Sequence, residues 1–216
     1  MREWSPTGTW SSFRATSLSS DAGELLERWL DAVLAAPGLT ALRDRKEARR
    51  VLLEDALSGV ELVRQFEGPV VDVGSGGGTP GIPLAVALPA RRVTLLEAER
   101  RKAAFLERWT REVPNLRVVW GRAESQATDC YKVAVAKALA PPPVAAEWCL
   151  PLVREGGAVV LWVGPTAEPE RVARVAERLG GELTESPSGF LVLRKVGPTP
   201  PGFPRRPGIA KKRPLA

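Results

Sequence analysis

Apolar positions along the chain change their period about a third of the way through. Over residues 20–36, Leu25, Leu26, Trp29, Leu30, Val33 and Leu34 fall on one helical face, with Ser20 or Asp21 as the cap and Pro37-Gly38 as the stop. A second helical stretch covers residues 45–63, with Val51, Leu52, Leu57, Val60 and Leu62 apolar. Neither helix has a strand next to it in sequence, so the two read as a cap packed against a core domain. Beyond Phe66, short apolar runs alternate with helical stretches. The runs predict strands at 70–73, 92–96, 116–120, 132–136 and 158–163, with helices at 80–88, 100–113, 142–153 and 168–179. Two last strands, near 182–185 and 189–195, are close enough to pair antiparallel. Strand–helix alternation of this kind predicts an α/β fold: a seven-stranded, mostly parallel, Rossmann-like sheet covered on both faces.

The ends depart from this pattern. Residues 1–20 are Ser/Thr-rich, carry Trp4 and Trp10, and read as irregular. Residues 197–216 are rich in Pro and Gly and have no regular structure to expect in isolation. The expected division is therefore a cap segment at 1–66, a core domain at 67–196 and a tail at 197–216. The net charge of +6 sits almost wholly in that tail, which holds five cations and no acid. It reads either as a solubilising end or as an arm whose Arg205, Arg206, Lys211 and Lys212 contact phosphates. No run of 18 apolar residues exists to span a membrane, and the N-terminus has no apolar signal centre, so a cytoplasmic protein is expected. The absence of histidine removes His-based acid/base chemistry, and two cysteines alone make a poor metal site, so no metal is expected.

The candidate chemistry begins at residues 70–85. A buried strand carrying Asp72 runs into Gly74, Gly76, Gly77 and Gly78, and Pro80 then opens a helix. Such a turn lets a ligand approach the main chain beside the free N–H groups of a helix start. The triplet Gly76, Gly78, Gly81 fits the dinucleotide spacing, but Asp72 before the turn and Glu97, 25 residues after it at the end of the next strand, fit S-adenosylmethionine instead. Glu97 is placed to accept from two ribose hydroxyls. Gly121-Arg-Ala-Glu124 after the third strand offers a backbone N–H and a carboxylate to an adenine edge.

The loop after the fourth strand, Lys137 to Pro143, narrows the choice of acceptor. Enzymes that methylate exocyclic amines place Asn or Asp, two prolines and an aromatic here. This chain has Ala140 and Pro143 at the polar and aromatic positions. Methylation at carbon 5 of a pyrimidine needs a cysteine nucleophile. Cys149 falls inside a predicted helix and Cys130 precedes the fourth strand, so both read as core or incidental. An acceptor that brings its own lone pair remains. Guanine N7 is one such, although exclusion alone does not single it out.

On these residues the sequence resembles the bacterial 16S rRNA guanine-N7 methyltransferases, the glucose-inhibited division protein B family. The resemblance spans residues 39–215. It is carried by Leu39-Thr-Ala-Leu-Arg-Asp44, the glycine turn, Thr94-Leu-Leu-Glu97 with Arg101-Lys102, Gly121-Arg-Ala-Glu124, and most specifically by the ending Phe203-Pro-Arg-Arg-Pro-Gly208 with Lys212-Arg-Pro-Leu215. It implies a class I methyltransferase fold and methylation of one guanine in the 530 loop of 16S rRNA. The expected substrate is the rRNA or a small-subunit precursor, and a monomer is expected. It implies S-adenosylmethionine contacts at Gly74, Thr79, Glu97, Ala98, Glu99, Ala123, Glu124 and Lys137, alongside Asp72, Gly76 and Gly78 from the turn. Lys137 stands where the family has arginine, and Leu52-Leu-Glu-Asp55-Ala-Leu57 where the family motif begins with histidine. These departures keep open a second expectation, an rRNA-binding assembly factor with little turnover. A small-molecule methyltransferase is the third, and it would have no use for the tail.

Overall fold

The computed structural model describes residues 18–216. The irregular reading of the N-terminus, with Trp4 and Trp10, lies outside them but for its last residues. Helix α1 (Ser20–Ala35) starts on Ser19, whose side chain accepts from the Ala22 amide, and buries Leu26, Trp29, Leu30 and Val33. The predicted second helix is one helical stretch with internal irregularities. It runs through α2 (Arg45–Ala48), a π-helical segment (Arg49–Glu54) and α3 (Asp55–Ser58), then breaks at Gly59 before α4 (Val60–Arg64). Packing excludes any side chain at this break. A Cβ on Gly59 would lie 2.2 Å from the Trp162 indole, whose Nε1 donates to the Asp55 carbonyl at 2.8 Å.

The core then alternates as expected: β1 (Val70–Val73), α5 (Gly81–Ala87), β2 (Val93–Glu97), α6 (Arg100–Glu107) and β3 (Leu116–Trp120), followed by β4 (Tyr131–Lys137), α7 (Pro142–Cys149), β5 (Val153–Trp162), α8 (Pro169–Arg178), β6 (Gly181–Thr184) and β7 (Phe190–Lys195). The sheet order is β3-β2-β1-β4-β5-β7-β6. Strands β1 to β5 are parallel, and β7 and β6 pair antiparallel at one side. Both β1 and β2 are buried at every position, which is why they read as continuous apolar runs. Strand β5 begins five residues earlier than expected. Val153 pairs with Tyr131 before a register shift carries the exposed Arg154–Gly156 stretch out of the ladder.

Each face of the sheet has its own core. One buries Val70, Val93, Leu95, Val133 and Val135 against α5, α6 and the N-terminal helices, so Trp29, Leu30, Leu53 and Val63 share a core with the sheet. Full burial of each large aliphatic side chain there stabilises by about 1.5–3 kcal/mol. The other face packs Val71, Val73, Ala134 and Leu161 against α7 and α8. The tail, which has no regular structure to expect in isolation, forms structure against the domain. It includes a short helix α9 (Ile209–Lys212), and Phe203, Leu215 and Ala216 pack on this second core. Arg171 and Arg178 of α8 donate to the carbonyls of Ala216 and Leu215 at 2.7 and 3.3 Å.

Candidate functional site

Order reverses in the sheet between β1 and β4, and the carboxyl ends of the parallel strands open there into a crevice. The turn after β1 is held by three separate elements. The Gly74 amide donates to the Leu96 carbonyl at 2.7 Å, and the Gly76 amide donates to Glu97 Oε2 at 2.8 Å. Trp29 of α1 reaches in from the side, its Nε1 donating to the Gly77 carbonyl at 2.9 Å. Thr79 Oγ1 donates to the Leu52 carbonyl at 2.7 Å. Gly76 has φ +57°, and a Cβ built there meets only the Gly74 carbonyl, at 3.9 Å. The backbone at Gly76 thus faces open space in a conformation that side-chain-bearing residues avoid.

That space is a cavity of about 590 Å³, within the size range of small-molecule sites. Gly74, Ser75, Gly76, Gly77 and Thr79 line one side, and Glu97, Ala98, Ala123 and Glu124 another. Lys137 comes from the end of β4 and Ala138 and Leu139 from the loop after it, Leu39 to Leu42 and Leu52 from the N-terminal segment, and Trp148 and Lys211 close the wall. Glu97 is 7% exposed. Its Oε1 accepts from the Glu99 amide at 2.7 Å while Oε2 holds Gly76, and each oxygen keeps a second lone pair for a hydroxyl. Lys137 Nζ lies 3.0 Å from Asp55 Oδ2, so the cap and the β4 loop meet at this residue. Ala138 follows with φ +53°, a strained conformation for a non-glycine residue. Leu139 leans on the glycine turn so closely that a Cβ on Gly74 would lie 2.2 Å from its Cδ1.

Of the expected cofactor residues, Gly74, Gly76, Thr79, Glu97, Ala98, Ala123, Glu124 and Lys137 come together on this cavity, and Asp72, Gly78 and Glu99 do not line it. Asp72 is a correction. It is 1% exposed behind the turn, and its Oδ2 accepts from the Gly81 amide at 3.1 Å while Oδ1 has no partner among the described residues. Burial pushes its carboxyl up to about 7, against the hydrogen bonds it accepts and with the Glu97 charge adding to the rise. Asp72 therefore shapes the turn from behind and offers nothing to a ligand directly. Gly78 faces Ile82 and Trp29, inside the protein. The Glu99 carboxylate turns outward to Lys102 and Arg101, chiefly Lys102, which lowers its pKa.

The tail needs a second correction. Arg205 is committed to Glu147, with Nε and Nη2 each 2.6 Å from one carboxylate oxygen. Glu147 is 4% exposed, so this guanidinium serves a buried partner and is not presented to a phosphate. Arg206, Lys211 and Lys212 are exposed. The Gly208 amide donates to Glu124 Oε1 at 3.1 Å, and Lys211 Nζ sits 5.4 Å from the centre of the Trp148 ring. Sequence reasoning missed Trp148 and Lys211 as parts of the site wall, and Trp29 as a brace of the glycine turn. Their only signals were ordinary apolar periodicity and tail charge. Cys149 is fully buried in the second core and burial pushes its thiol up, so it offers no nucleophile. Among the described residues no group of His, Cys, Asp and Glu is placed to hold a metal ion, and no helix is long and apolar enough to cross a membrane.

Comparison with known proteins bears on the same residues. Residues 24–181 match the family described as rRNA small subunit methyltransferase G. A protein of that name from Synechococcus elongatus is 34% identical over 100% of this chain and 96% of its own length. Another from Moorella thermoacetica is 36% identical, covering 82% of each. Among solved structures, a branched-chain polyamine synthase from Thermus thermophilus has a TM-score of 0.57 at 20% identity over 81% of this chain and 55% of that one. A SAM-dependent O-methyltransferase from Thermotoga maritima has a TM-score of 0.52 at 15% identity over 68% and 66%. At such identities the structural likenesses show the fold.

Proposed function

Because the chain belongs to the rRNA small subunit methyltransferase G family, whose members use S-adenosylmethionine to methylate 16S rRNA, we propose that its acceptor is N7 of a guanine in the 530 loop. One observation carries this reading. Among the described residues the cavity is lined by two carboxylates, Glu97 and Glu124, which already accept from backbone amides, and its Lys137 is paired with Asp55. Both carboxylates thus serve the backbone, and an acceptor whose lone pair carries no proton makes no demand on either as a base. Bound S-adenosylmethionine supplies a methyl group on a sulfonium.

The chain's own residues supply binding and alignment. The open face at Gly76 is a cradle that a side chain would fill, and it takes a ligand against bare backbone. Glu97 keeps lone pairs for two ribose hydroxyls, and Ala123 with Glu124 faces the adenine side of the same cavity. Lys137, Ala138 and Leu139 form the wall nearest the strand-order reversal, where the target base enters. Lys137 is 11% exposed at its side chain, and Asp55 fixes its direction. Its ammonium orients the base or the cofactor carboxylate as a point charge, without the planar fork of an arginine. Alignment and exclusion of water are then the sources of rate.

The experiment is transfer of labelled methyl to small-subunit rRNA from cells lacking the modification, with mass mapping of the product. The expected outcome is one methylated guanine in the 530 loop, labelled at N7, and no transfer or cofactor binding by Gly76→Val. Label on an exocyclic amine would refute the N7 assignment. Cofactor binding with no transfer would favour the assembly-factor reading.

A further inference from the structure

Among the described residues only Trp120 and Val196 expose a large apolar side chain, and Trp120 is 61% exposed. An indole left in water at this level forfeits the burial that the other ordered tryptophans gain. It is nevertheless held in place. Its Nε1 donates to the Ala98 carbonyl at 3.1 Å, and the Arg100 guanidinium lies over the ring, 5.5 Å from the centroid. Trp120 ends β3, and Gly121, Arg122 and Ala123, which follow it, line the cavity, as does Ala98. The ring is therefore mounted on the cavity rim, although it is not part of the lining itself.

The charges around it point the same way. Glu99 pairs with Arg101 and Lys102. Arg100 and Arg122 are exposed, and neither is among the ion pairs of the described residues. A fixed aromatic face under the Arg100 guanidinium, with the exposed Arg122 two residues further along the chain on the cavity, is the arrangement that holds an unpaired nucleobase and its phosphates. Base–aromatic stacking is tolerant of sequence, and arginine adds charge and a second planar surface. A protein partner would be met by a contiguous apolar patch, and Trp120 stands alone among polar neighbours.

We propose that Trp120, with Arg100 and Arg122, is a stacking platform for an unpaired RNA base flanking the methylated nucleotide, on the β3 side of the cavity. This rests on the reading of the protein as an rRNA methyltransferase, and the experiment separates the two. Methyl transfer to unmodified small-subunit rRNA is measured as a function of RNA concentration, with cofactor affinity measured in the absence of RNA. In Trp120→Ala the KM for RNA should rise roughly five- to a hundredfold. Cofactor affinity and the thermal midpoint should stay near those of the unaltered protein. Trp120→Phe keeps a stacking face and loses the bond to Ala98, so it should restore most of the RNA affinity. Unchanged KM for RNA in Trp120→Ala overturns the platform and leaves the methyltransferase reading standing. A loss that follows cofactor affinity and is not restored by Phe also overturns it, because Trp120 would then serve only the Ala98 turn. Absence of transfer by the unaltered protein sinks the functional reading and the platform with it.

Discussion

Asp72 shows how one residue carries a fold and a functional reading at once. The acid before the glycine turn was expected at the cofactor, and it is instead sealed behind the turn against Gly81. An ordinary aspartate loses its proton near pH 3.9, whereas burial holds the Asp72 carboxyl at about 7. Below the lower value both folded and unfolded chains are protonated and the carboxyl's contribution is fully present. Between the two values the unfolded chain releases a proton that the folded chain keeps. Stability then falls with rising pH by up to about 1.4 kcal/mol per unit, and it levels off once the folded carboxyl ionises. Asp72→Asn removes this dependence and retains an oxygen to accept from Gly81. Denaturation of both proteins from about pH 4 to 7 should show the variant gaining on the parent as pH rises. A constant difference across that window would mean that Asp72 is already ionised in the folded protein.

At the scale of elements, the tail changes most between sequence and structure. Residues 203–216 have too little apolar content to fold by themselves, but α7 and α8 supply the missing partners. The bidentate Arg205–Glu147 pair is the central latch, with Gly208 on Glu124 and the α8 arginines on the last carbonyls. A buried pair of this kind contributes little over an apolar substitute, but breaking it from one side strands a charge. Arg205→Ala should therefore cost about 3–5 kcal/mol, lower the thermal midpoint and open residues 203–216 to proteolysis. Adding Glu147→Leu should recover much of that stability, since the stranded carboxylate is then gone. An Arg205→Ala protein as stable and protease-resistant as the parent would mean that the latch is not holding the tail. Lys195 plays a similar part nearby. It is 1% exposed, and its ammonium donates to the Leu179 and Leu150 carbonyls and to Thr199, where the tail leaves β7.

For the whole molecule, the site is a junction of segments far apart in the chain: the N-terminal segment, the glycine turn, the end of β2, the loop after β3, the end of β4 with the residues that follow it, α7 and the tail. With Arg205 occupied, the tail still presents Arg206 and Lys212 to solution. If they meet rRNA phosphates, Arg206→Gln with Lys212→Gln should weaken RNA binding across sequences. The slope of log affinity against log salt should also fall by about 0.7 for each lost contact. An unchanged slope would leave the tail with a structural part only. The sequence by itself determined the α/β alternation, the seven strands, the glycine turn with Glu97 at the end of β2, and the family. All of these depend on local period or on residues close in the chain. Tertiary structure alone decided which of those residues face the cavity. Asp72 and Gly78 turn inward because α5 packs over them, and Arg205 is withdrawn because a buried Glu147 lies 58 residues away in the chain. Trp148 and Lys211 become walls of the site, Trp29 a brace behind the glycine turn, and Trp120 the exposed rim, only after distant segments meet. Whether a side chain is neutralised, sealed or free depends on contacts that no period in the sequence encodes.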